Sequence, residues 1–83
     1  MKILKFRFRD TVGQTFDMPK FANIIKCGDQ CGHVTMWAMC NSAEMEQRRF
    51  RIFATGAEAS GLYIGTVLIN GGSHVWHIFE QPI

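Results

Sequence analysis

Leu4, Phe6 and Phe8 alternate with Lys5, Arg7 and Arg9 near the start of the chain. A period of two is the signature of a strand with one buried and one wet face, and this is the cleanest strand in the sequence. The same alternation returns where Phe50 and Ile52 interleave with Arg49 and Arg51, inside a strand predicted from Arg48 to Ala54. Between such segments lie clusters of glycine, proline, asparagine and aspartate, and no long helical connection. That arrangement predicts an all-β fold, a small antiparallel sandwich or partly open barrel of six to seven short strands. At 83 residues the chain has room for one core only, so residues 1–83 are read as a single β domain. Its 47% hydrophobic and 19% charged residues suit a packed globule and not a disordered tail. A domain this small still exposes roughly two-fifths of the surface of its unfolded chain. Some apolar residues must then stay at the surface or meet another subunit, and a homo-oligomer, most simply a two-fold dimer, is expected.

The remaining strands follow from the turn signals. Asp10 to Gly13 supplies turn chemistry, and Gln14 to Met18 is predicted to return beside the first strand as an opening hairpin. Pro19 lacks a ladder donor and holds Met18 extended, so Met18 to Ala22 is predicted to cross the core with Phe21 as its anchor. Gly28 to Gly32 marks the turn of a second hairpin, between a short run ending at Cys27 and a strand from His33 to Cys40. Asn41 to Gln47 is the one place for a helical turn, with Ser42 as its cap, and at most one such turn is expected, near 42–47. After a loop from Thr55 to Gly61, Leu62 to Asn70 and Ser73 to Glu80 form a closing hairpin around Asn70-Gly71-Gly72.

Nine Lys and Arg against seven Asp and Glu leave a net charge of +2, too slight for an obligate nucleic-acid binder. Nowhere do eighteen apolar residues follow one another, and the first ten residues contain no secretory core. A soluble cytoplasmic protein with no membrane partner is expected. Three cysteines cannot all pair within one chain, which favours reduced thiols.

Several constellations contain residue types that chemistry uses. Cys27, Cys31, His33 and Cys40 place four zinc-type ligands within fourteen residues, but without the paired knuckles of ribbons and fingers. Two loop cysteines and one small buried hydrophobe is the preferred reading, with no metal and no cofactor. His74 and His77 fall on opposite faces of a strand and cannot share a ligand. His33-Val34-Thr35 has the form of the element that two-histidine phosphoesterases use twice, yet Trp76 and Phe79 stand where a second hydroxyl would be needed. The glycine-rich segments lack a Walker lysine, and no serine sits in a nucleophile elbow. The chain is therefore not expected to be an enzyme.

The basic strands carry the candidate site. Lys5, Arg7 and Arg9 lie on one side of one strand and Arg49 and Arg51 on one side of another, so five cations would line one face if those strands were neighbours. Guanidinium groups at this spacing can take phosphate or carboxylate in bidentate fashion. Phe53 is next on the side of Arg49 and Arg51 and can offer a stacking surface. Arg49, Arg51 and Arg7, with Trp37, Tyr63 and Trp76 as stacking aromatics, are the predicted ligand- or partner-binding residues. The competing reading is a solvated face neutralised by Asp10, Asp17, Glu44 and Glu46.

Met18-Pro19-Lys20 with Ala22 and Ile24, Trp37-Ala38, Arg49 to Ile52 leading to Ala54-Thr55-Gly56, Gly61 to Thr66, and His77 to Glu80 together resemble a family of short, uncharacterised phage and prophage proteins. The pattern covers nearly the whole chain and departs from the family at Cys27 to Cys31 and at Trp76. The resemblance implies a setting, the infected bacterial cell, and two classes of function. One is a non-catalytic accessory protein that binds and inhibits a host protein, such as a defence component. The other is an oligomeric sponge that sequesters a small anionic, nucleotide-like signal.

Overall fold

In the computed structural model all 83 residues are described, and they form seven strands in two antiparallel sheets. The strands are β1 (Lys2–Arg7), β2 (Gly13–Pro19), β3 (Asn23–Gln30), β4 (His33–Cys40), β5 (Met45–Ala54), β6 (Leu62–Ile69) and β7 (His74–Gln81). The order is β1-β4-β3 in one sheet and β2-β5-β7-β6 in the other, so the fold is an all-β sandwich and not a closed barrel. No helix is long and apolar enough to cross a membrane.

Thirteen buried residues make one core between the sheets. Strand alternation explains its membership: Val34, Met36, Ala38 and Cys40 come from β4, Phe50 and Ile52 from β5, Phe16 and Met18 from β2. Phe8 sits edge-on to Phe16 at 5.0 Å and to Phe50 at 6.3 Å. Each ring so enclosed contributes about 1.5–3 kcal/mol by leaving water. On one side the sheets nearly join, because β6 carries Gly65 where a Cβ would stand 2.8 Å from the Cys27 sulfur of β3. Asp29 spans the same seam, accepting the backbone N–H of Gly32 at 2.8 Å and of Asn70 at 3.2 Å. On the other side β1 and β2 leave two free strand edges.

The opening hairpin does not form. β1 pairs with β4 and β2 with β5, and the two strands face each other across the core. Asp10 Oδ1 accepts the N–H groups of Val12 and Gly13 at 2.9 and 3.2 Å, which turns the chain from one sheet into the other. Face-to-face packing sets the rings of Phe6 and Phe8 edge-on to Phe16 across the core, at 5.7 and 5.0 Å. Phe21 is likewise no anchor. It adopts φ 64° and is 84% exposed, while Ala22 takes the buried place as the turn closes from its N–H to the Pro19 carbonyl. Residues 42–47 contain no helical turn. Ser42 does accept the Glu44 N–H, but Met45, Glu46 and Gln47 pair with Pro19, Met18 and Asp17, and ladder bonds outweigh weak local helix preference.

The hairpins predicted at Gly28–Gly32 and Asn70–Gly72 both form. The first is tighter than expected, since β3 continues to Gln30 and only Cys31 and Gly32 turn, at φ 52° and 83°. In the second, Asn70, Gly71 and Gly72 reverse the chain in the left-handed region, at φ 52°, 70° and 106°.

Candidate functional site on the outer face of the four-stranded sheet

Register places the site. Across the outer face, Gly13 of β2, Arg51 of β5, Phe79 of β7 and Tyr63 of β6 lie in one row. The row on one side is Thr15, Arg49 and Gln81, and on the other Phe53, His77 and Thr66. Phe53 and Tyr63 each meet Phe79 edge-on, at 5.6 and 5.5 Å, and the Arg51 guanidinium stacks 5.1 Å from the Phe53 ring centre. Phe53, expected to offer a ligand a stacking surface, is instead buried beneath Arg51 and Phe79, so the exposed ring of this face is Tyr63. A shallow depression of about 250 Å³ lies between β2 and β5, lined by Val12, Gly13, Gln14, Thr15, Arg49, Phe50 and Arg51. It exists because Gly13 and Thr15 leave little bulk opposite two long side chains.

Arg49 and Arg51 make no ion pair, and the one carboxylate on their side of β2, Asp17, stands opposite Gln47. The chain has two ion pairs, Lys20 with Glu44 at 3.7 Å and Arg48 with Glu80 at 2.8 Å, and neither involves Arg49 or Arg51. The acidic partners proposed by the solvated-face reading do not reach them. Exposed guanidinium groups without a carboxylate keep their full capacity for a bidentate anion contact. Arg48, which sequence reasoning passed over, points the opposite way. It donates from Nε and Nη2 to the Glu80 carboxylate at 2.8 Å each and from Nη1 to the Ala22 carbonyl at 2.6 Å. The hydrogen bond to Glu80 holds its pKa above the ordinary guanidinium value, against the cost of burial. Arg48 is a clamp on the fold, not part of the open face.

A second feature missed in sequence is a hydrogen-bonded chain beside the aromatic row. The Tyr63 hydroxyl lies 2.6 Å from Thr66 Oγ1, Thr66 Oγ1 lies 3.0 Å from His77 Nδ1, and His77 Nε2 lies 2.7 Å from Thr55 Oγ1. Both ring nitrogens are occupied, so the imidazole orientation is fixed and the Tyr63 ring is held against Phe79. The signal for it was Gly65 inside a strand, which marks a bulge. The register does shift between Tyr63 and Gly65.

The six predicted site residues divide. Arg49, Arg51 and Tyr63 share this outer face, and all three are exposed. Arg7 and Trp37 belong to the outer face of the other sheet, where Lys5, Trp37 and Lys26 form a row and Lys26 lies 5.8 Å from the Trp37 ring centre. The single five-cation face is therefore not built, because β1 and β5 are in different sheets. Trp76 points inward against the core and lines a separate cavity of about 450 Å³ with Ala54, Thr55, Ser73, His74 and Val75. No three His, Cys, Asp or Glu side chains converge as a metal site would need. Cys27 is half-buried, Cys31 is exposed in its turn and Cys40 is buried. Burial pushes the Cys27 thiol up to about 11, away from reactive thiolate character.

A family model described as a domain of unknown function, DUF7352, matches residues 1–83, the whole length given. The chain belongs to this family. No curated protein and no solved structure matches it significantly. In this DUF7352 member the arginines and aromatics of the outer face are the features that bear on function.

Proposed function

We propose that this DUF7352 protein is a non-catalytic, phage-encoded accessory protein that binds and inhibits a host component, and that it engages the target through the outer face of the four-stranded sheet. Arg49 and Arg51 take an anionic group of the target, and Tyr63 and Phe79 supply the aromatic surface beside it. The observation that carries this reading is the arginine pair, free of ion pairs, next to the contacting rings of Phe53, Phe79 and Tyr63. Arginine and tyrosine with aromatic support are the side chains that dominate recognition surfaces. The phage setting is supported by the resemblance of the sequence, and cytoplasmic action as a homo-oligomer belongs to the same proposal.

A second reading is an oligomeric sponge for a nucleotide-like signal. It is favoured by Tyr63 and Arg51 standing in one row, where a base and a phosphate can be held together. Trp37 and Trp76 lie elsewhere, so Tyr63 would be the exposed stacker of that site.

Native mass spectrometry of the protein recovered from bacterial cells separates the two. The first reading expects a stoichiometric protein complex that Arg49→Ala with Arg51→Ala disrupts. A retained small nucleotide, with no protein bound, would transfer the proposal to the sponge. A complex unaffected by the double substitution would overturn the assignment of this face.

A further inference from the structure

β1 is hydrogen-bonded on one side only, to β4. The Phe8 N–H donates to the Val34 carbonyl at 2.9 Å, and an antiparallel ladder bonds alternate residues. Counting back along the register, Phe6, Leu4 and Lys2 turn their backbone groups toward Met36, Ala38 and Cys40. The N–H and C=O groups of Ile3, Lys5 and Arg7 therefore point outward, along an edge that nothing covers. All three residues are exposed, Ile3 by 62%.

The chemistry on either side of this edge differs. Ile3, Lys5 and Arg7 share the outer face with Lys26, and none of these cations has an acidic partner. On the inner side Leu4 is 37% exposed, and a cavity of about 400 Å³ opens beside it, lined also by Met1, Pro19 and Cys40. The second free edge of the sandwich is a poorer template. On β2 the Ile52 N–H bonds to the Val12 carbonyl, which leaves Gly13, Thr15 and Asp17 facing outward, and the strand ends in Pro19, which has no donor.

We propose that the β1 edge accepts an extended segment of a partner protein as a fourth strand of the three-stranded sheet, and that this segment alternates acidic with apolar side chains. Its acidic side chains lie over Lys5 and Arg7 on the outer face, and its apolar ones cover Leu4 and the adjoining cavity. Main-chain bonds to Ile3, Lys5 and Arg7 supply affinity, and the alternation supplies selectivity. A second copy of the chain is a worse occupant, because two β1 strands laid antiparallel about Lys5 bring four cations into one row. This surface is on the sheet opposite Arg49 and Arg51, so it stands or falls independently of that face.

The probe is a capped octapeptide of alternating Glu and Val, with a Lys-Val octapeptide as control, and the readout is amide exchange at Ile3, Lys5 and Arg7 by NMR. At a free peptide concentration about ten times its dissociation constant, exchange at these amides slows about tenfold. Lys5→Glu with Arg7→Glu transfers the protection to the Lys-Val peptide. Lys5→Pro removes a free donor without touching the ladder to β4 and weakens binding of the Glu-Val peptide about tenfold or more. Should Lys5→Pro unfold the domain, the charge-reversed pair decides. Unprotected amides at saturating Glu-Val peptide, equal binding of both peptides, or protection that rises with protein concentration alone would each overturn the proposal, the last by showing a second copy at the edge.

Discussion

Tyr63 and Thr66 are three positions apart on β6, yet their hydroxyl oxygens lie 2.6 Å from each other on one face of the sheet. On a regular strand they would point to opposite faces. The bulge at Ile64 resets the alternation, and it places Thr66 between Tyr63 and His77. Thr66→Val keeps the β-branched shape and removes the middle of the hydrogen-bonded chain. A loss of about 1 kcal/mol is expected, which for a domain of this size lowers the melting temperature by about 4–8 °C. The Tyr63 ring should then exchange between orientations in NMR spectra, and unchanged stability with a fixed ring would contradict its role.

Arg48 and Glu80 form the one substantially buried ion pair, and Arg48 also satisfies the Ala22 carbonyl. Arg48→Ala leaves a carboxylate and a carbonyl without partners, and denaturant titration should show a loss of about 2–3 kcal/mol. Arg48→Lys keeps the charge but not the fork, so an intermediate loss is expected. A loss as small as that of an exposed pair would remove the clamp from the account.

The thiols should separate by environment. At pH 8 a thiol reagent should label Cys31 in the folded protein and reach Cys27 and Cys40 only on unfolding. Cys27 has its folded pKa raised from 9.0 to about 11, so the preference of the fold for its neutral form is fully present below pH 9. That contribution is lost as pH rises toward 11, because the unfolded chain deprotonates first. Cys27→Ala should flatten this part of the alkaline stability profile, and labelling of Cys27 as fast as Cys31 would contradict the burial.

The strands were legible because each carries its own alternation or turn signal: Leu4 to Arg9, Arg48 to Ala54 and the hairpin at Asn70–Gly72 needed no tertiary information. Strand partners were not. Whether Phe6 and Phe16 pair side by side or face each other depends on where the other five strands lie, and no local signal distinguishes the two. Phe21 misled for a related reason, since burial at a crossover depends on the φ of a single residue. The arginine pair with Phe53 was legible from alternation. The Thr66–His77 contact was not, because it depends on a bulge that only Gly65 announced.

If Arg49 and Arg51 serve recognition and not folding, a titration of phenyl phosphate followed by NMR, in the wild type and in Arg49→Ala with Arg51→Ala, will show it. Phenyl phosphate carries the anion and the aromatic surface that this face is proposed to hold. Shifts are expected at Arg49, Arg51, Phe79 and Tyr63 in the wild type, with binding about tenfold weaker or more in the double variant. Stability should change by no more than about 1 kcal/mol, the scale of an exposed cation over a ring. Undiminished binding in the double variant, or early melting of that variant, would contradict it.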